Sequence, residues 1–172
     1  MKIAMAALVT TALIGGAIPA VSERTRPHHQ EQLLRAWVQV WNGDYRPAER
    51  IIAPDFTVHA ALLDGGDGSA IKGPAGLVAM VKQIRGPLPD LRFDVQVGPI
   101  IDGPHVVVRW IATGTYGGGF PGATAPVGTK VTFTGVDILR TEHGKFAEYW
   151  LNADTTLLLT QLKVTPAAPR VL

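Results

Sequence analysis

Two carboxylates interrupt otherwise apolar surroundings in this sequence. Asp137 sits inside the run "FTGVDIL", and Asp154 separates "EYWLNA" from "TTLLLTQL". A carboxylate held against apolar surface is desolvated, so its pKa rises toward neutrality and it can take and return a proton. Side chains alternate along a strand, so an extended 146–153 segment puts Trp150, Asn152 and Asp154 on one face. Leu157, Leu158 and Leu162 would then surround Asp154 with apolar surface. That face is expected to be a pocket wall, with Trp150 lining it. Asp154 also stands where the amides of Thr156 or Leu157 need an N-cap, and spacing alone leaves both roles open. Asp137 shares a strand face with Phe133 and Gly135, which is either inside a cavity or on the solvated side of a sheet. If both carboxylates share a cavity, their environments can divide them into an acid and a base.

The other polar candidates are more ambiguous. Arg109, in "VVVRWI", either holds an enolate or carboxylate of a substrate or pairs with Asp137 as a structural bridge. His59, in "FTVHAAL", either faces a pocket mouth or is a structural residue. Trp37, Trp41 and Trp110 read as core. The absence of Cys excludes thiolate nucleophiles and cysteine metal sites, and no His, Asp and Glu set has metal-ligand spacing. No metal is expected. "GTYGGGFPG" lacks the Lys-Ser/Thr and the helix of a phosphate loop. "DGGDGS" opens like a calcium loop, but the twelfth position from Asp64 is Ala75. Both read as turns, and no organic cofactor is expected.

The elements that must carry these residues fall into two halves. Leu33, Leu34, Trp37, Val38 and Trp41 recur at helical spacing from Gln30 onward, and "NGD" (42–44) stops them. A short helix runs from Pro47 to Ile52 and ends before Pro54; "FTVHAAL" (56–62) alternates as a strand; a third helix fits 74–85. Segments 91–101, 105–116, 130–141 and 145–153 read as strands, with tight turns "DGP" and "EHG" that imply antiparallel pairing. A closing helix fits 155–162. Helices followed by a long antiparallel meander indicate an α+β domain, a curved sheet wrapped over N-terminal helices and enclosing a cavity.

The whole composition bounds the function classes. At 172 residues, 47% apolar and 17% charged, the chain has enough apolar material for one core. Its 16 basic and 14 acidic residues are dispersed, which argues against a nucleic-acid groove or an anionic-membrane patch. Residues 1–22 carry Lys2, an apolar run from Ile3 to Ile14, then Gly15, Gly16 and Pro19, the pattern of a cleaved secretory signal. A single domain over 23–172, secreted or periplasmic and free of the membrane after cleavage, is the resulting expectation.

Several short motifs, in order and spacing, resemble the SnoaL-like polyketide cyclase (ester cyclase) branch of the NTF2-like superfamily. They are "VWNGD" (40–44), "LPDLRF" (88–93), "HVVVRWIATGTYGGGFPG" (105–122), "PVGTKV" (126–131), "DILRTEHGKFAEYW" (137–150) and "D…LLLTQL" (154–162). The resemblance spans about residues 32–163. It implies a cone-shaped NTF2-like fold with one apolar pocket, a homodimer through the outer sheet face, and a small hydrophobic carbonyl ligand or substrate. It implies further that Asp154 is the general acid/base. Tyr116 stands where the family often has His, at the pocket rim; the loop 123–129 is about two residues longer, and Thr129 splits the family's Gly-Lys pair. Three functions follow: a cofactor-free enzyme that cyclises, isomerises or dehydrates a hydrophobic carbonyl compound; a carrier of an apolar ligand; or a structural, dimer-forming module. An export signal argues against polyketide tailoring beside an intracellular synthase.

Overall fold

Helix α1 (Thr25–Trp41) sets the frame, in a computed structural model that describes residues 25–62 and 66–164. The export segment expected over residues 1–22 lies outside these residues. Leu33, Leu34, Trp37, Val40 and Trp41 bury one stripe of α1. The helix starts five residues earlier than the apolar spacing alone predicts, at Thr25 rather than Gln30. Pro27 does not prevent this, because the first turn's N–H groups have no intrahelical acceptor. At its end Gly43 takes φ +95°, and Asn42 exchanges two hydrogen bonds with the Phe93 backbone at 3.1 and 2.7 Å. That exchange fixes the C-terminal end of α1 against the sheet.

Helix α2 (Ala48–Ile51) passes directly into β1 (Ile52–His59). Pro54 was expected to lie before the strand, yet it lies inside it. The strand is at a sheet edge, where a missing N–H breaks no internal ladder. Helix α3 (Gly73–Arg85) has Pro74 in its first turn, as the sequence predicts. Strands β2 (Arg92–Asp102), β3 (His105–Thr115), β4 (Lys130–Glu142) and β5 (Lys145–Ala153) follow, then helix α4 (Thr155–Gln161). The five strands form one sheet in the order β1-β5-β4-β3-β2. The meander β2 to β5 is antiparallel, and β1 joins β5 in parallel.

Register decides which residues face the helices. Asp137 pairs with Val108 on one side and Leu151 on the other, whereas Val136 pairs with Arg109 and Asn152. Paired residues share a face. The inner face therefore carries Val108, Trp110, Phe133, Asp137 and Tyr149, all buried. The outer face carries Arg109, Val136, Ile138, Trp150 and Asn152. Among the described residues no helix is long and apolar enough to cross a membrane.

Candidate active site

Asp137 and Gln30 are the buried polar residues of the described chain, and Asp137 is its buried carboxylate. Trp110 Nε1 donates to Oδ1 at 2.7 Å, Tyr149 Oη donates to Oδ1 at 2.9 Å, and Trp37 Nε1 donates to Oδ2 at 2.9 Å. Each donor comes from a different element: β3, β5 and α1. An indole N–H can only donate, so the two tryptophans define acceptor positions that a carboxylate fills. A carboxylate offers about four lone-pair directions. Among the described residues Oδ1 uses two and Oδ2 uses one, which leaves the free direction on Oδ2.

Burial dominates the electrostatics. Desolvation pushes the Asp137 carboxyl up to about 6, against the hydrogen bonds from Trp110, Trp37 and Tyr149 that pull it down. Burial, then the Asp137 charge and the hydrogen bond to it, push the Tyr149 phenol well above its ordinary value, so Tyr149 stays a donor. A carboxyl near 6 holds and releases a proton close to neutral pH.

The packing that makes this cluster depends on Gly135. It pairs across the sheet with Trp110, and an added Cβ would lie 2.6 Å from Trp110 Cη2 and 2.8 Å from the Asn152 carbonyl oxygen. The bare backbone lets the indole lie over β4 and reach Asp137 two residues on. Trp37 meets Tyr149 edge-on, with ring centroids 4.8 Å apart, and Phe93 meets Trp110 in the same way at 5.1 Å.

A cleft between α1 and the sheet reaches Asp137, walled by Trp37, Trp41, Phe93 and Trp110 and lined also by the exposed Asp94 and Val95. Its water-accessible volume is about 10 Å³, room for about one water-sized atom. The cone is filled largely by its own aromatic rings.

The remaining expected site residues lie elsewhere. Trp150 and Asn152 do share a face, as alternation requires, but it is the outer face, and Asp154 lies past the end of β5 at the start of α4. Asn152 is exposed, and Trp150 stacks on His59 with ring centroids 4.9 Å apart. The pocket-wall expectation failed because alternation fixes which residues go together and not which side is inside. Asp154 is exposed, and its Oδ1 accepts from the Leu157 N–H at 3.1 Å, capping α4. The apolar surround predicted for it is absent: Leu157 is 40% exposed and Leu158 is buried. Arg109 does not bridge to Asp137, since it projects from the opposite face and bonds Gln96. His59 is exposed, 3.4 Å from Glu148, whose other oxygen is held by Arg140. Tyr116 is buried, and its hydroxyl accepts from the Phe120 N–H at 3.3 Å, holding the glycine-rich loop. Trp37, Trp110 and Tyr149 were missed as site residues. Tyr149 is one position out of phase with Trp150 and so had to face the other way.

The architecture and the buried carboxylate can now be set beside known proteins. The profile of the family described as SnoaL-like polyketide cyclase matches residues 31–162. The chain belongs to the SnoaL-like polyketide cyclase family. A candidate polyketide cyclase from Acidithiobacillus ferrooxidans is 26% identical, with TM-score 0.69 over 78% of this chain and 94% of that one. AclR, a candidate hydroxylase from Streptomyces galilaeus, is 25% identical, with TM-score 0.64 over 87% and 91%. IdmH, a candidate polyketide cyclase from Streptomyces antibioticus, shares the fold at 24% identity, with TM-score 0.66 over 78% and 98%. A comparison with curated proteins gives no match. Proteins this similar in fold carry different activities in their names, so the reaction has to be argued from this family member's own site.

Proposed function

We propose that this SnoaL-like chain is a cofactor-free enzyme of the cyclase or isomerase type, acting on a small apolar carbonyl compound, with Asp137 as its acid/base. One observation carries the proposal: a carboxyl raised to about 6 lines a cleft with one lone-pair direction of Oδ2 free. As the carboxylate, Oδ2 takes a proton from the carbon next to the substrate carbonyl, and the C–H electron pair moves into an enolate. The same Oδ2–H then returns the proton to a carbon or oxygen of the rearranged product. Trp37, Trp110 and Tyr149 stay hydrogen-bonded throughout and hold the carboxyl in one orientation, which lowers the entropic cost of reaching the transfer geometry. Asp154 takes no part in this mechanism, because it is exposed and its carboxylate caps α4.

A second reading has its own support. The small cleft volume and the aromatic filling of the cone favour a non-catalytic binding module that admits only one end of a ligand. Solvent-deuterium exchange at the α-carbon of 1-indanone, followed by proton NMR, separates the two. The enzyme reading expects exchange that falls by about a hundredfold in Asp137→Asn. Exchange at equal rates in both proteins favours the binding module.

A further inference from the structure

One wall of the cleft carries a second polar atom with unused capacity. Trp41 is 4% exposed and lines the cleft, and its Nε1–H is buried with no hydrogen-bond partner among the described residues. Its neighbours explain this: Trp41 packs against Phe93 at 5.0 Å, Trp37 at 6.0 Å and Tyr149 at 6.3 Å between ring centroids. Trp37 offers only a donor, and the Tyr149 hydroxyl is directed at Asp137 and makes no bond to Trp41. A buried donor without an acceptor is costly and uncommon in protein interiors. The other indoles beside the cleft, Trp37 and Trp110, do have an acceptor in Asp137.

We propose that the Trp41 indole N–H is the recognition donor for an oxygen acceptor of the cleft's ligand, a neutral carbonyl oxygen on an apolar frame. The inference rests on the cleft being the substrate site and adds the residue that selects for a carbonyl. Three features fit that ligand. The space admits about one water-sized atom, the size of a carbonyl oxygen. The walls are aromatic, which suits an apolar frame resting near the exposed Val95. A carboxylate ligand is disfavoured by the two carboxylates of the lining, the exposed Asp94 and the buried Asp137. Trp41 binds the ligand in this proposal and exchanges no proton with it.

The test uses a matched pair of probes, acetophenone and ethylbenzene, which share an apolar frame and differ in the carbonyl. Binding to the full chain is followed by the indole proton resonances, with that of Trp41 assigned by its loss in Trp41→Phe. The expected result is a downfield shift of the Trp41 indole proton with acetophenone and none with ethylbenzene. Acetophenone should bind about fivefold or more tightly than ethylbenzene, the scale of one net hydrogen bond, and the preference should vanish in Trp41→Phe. An indole that stays in place with both probes, equal affinities, or a preference that survives in Trp41→Phe would overturn the proposal. If Trp41→Phe does not fold, the paired shifts in the unaltered chain decide alone, with the resonance assigned by its contacts to Phe93. Binding is read without turnover, so loss of the Asp137 mechanism in the exchange assay leaves this result standing, and the reverse holds too.

Discussion

At the scale of the residue, burial is what distinguishes the two carboxylates, and it is why the proposed chemistry falls to one of them and capping to the other. Asp137 is 3% exposed and fixed by donors from β3, β5 and α1, while Asp154 is exposed and bonded to its own helix. The sequence names both as chemically interesting, because each breaks an apolar pattern. Spacing does not rank them, and the family resemblance puts Asp154 first. Ranking needs the sign of the strand face, and an alternating pattern is the same read from either side. The cap gives a clean expectation. Asp154→Ala should lower stability by about 0.5–2 kcal/mol, while Asp154→Asn, an equally good cap, should leave it within a few tenths. Neither substitution should alter deuterium exchange into 1-indanone. Paired melting curves and the exchange assay check this, and loss of exchange in Asp154→Asn would return the acid/base role to Asp154.

At the scale of the element, the site is where α1, β3, β4 and β5 converge, and Gly135 is the position that lets them. The order of helices and strands is legible in the sequence, because hydrophobic period switches from three-and-four to two after residue 90. The boundaries are less so: β1 runs through Pro54, and α1 extends to Thr25, since tertiary placement at an edge or in a first turn tolerates proline. The parallel pairing of β1 with β5 is long-range and leaves no local signal. Gly135 was legible only as a residue on the Asp137 face, because its role is set by a ring on a neighbouring strand. Gly135→Ala should force the Trp110 indole off Asp137 and cost about 1–3 kcal/mol, the range for overpacking. Chemical denaturation gives the cost, and loss of the downfield Trp110 indole resonance reports the broken bond. A wild-type spectrum with unchanged stability would contradict the packing account.

At the scale of the whole molecule, the raised Asp137 pKa makes folding depend on pH in an unusual direction for an acid. The unfolded carboxyl titrates near 3.8 and the folded one near 6, so between these values the folded chain holds a proton that the unfolded chain has lost. Stability from this group is therefore present at low pH and is lost as pH rises through that window, by on the order of 3 kcal/mol. Exposed carboxylates such as Asp90, held low by hydrogen bonds from Thr115, act in the opposite sense. Subtracting Asp137→Asn isolates the buried group. The stability of the unaltered chain relative to Asp137→Asn, measured by denaturation at several pH values, should fall from pH 4 to pH 7. A flat or rising difference would show that the carboxyl is not desolvated.

The central claim is that Asp137 is a buried carboxyl able to exchange a proton near neutral pH. Carbon-13 NMR titration of its side-chain carboxyl in the intact chain, with the resonance assigned by its loss in Asp137→Asn, measures that property at the atom concerned. The expected midpoint is about 6. A midpoint near 4, the ordinary range of a solvated aspartate, would contradict it.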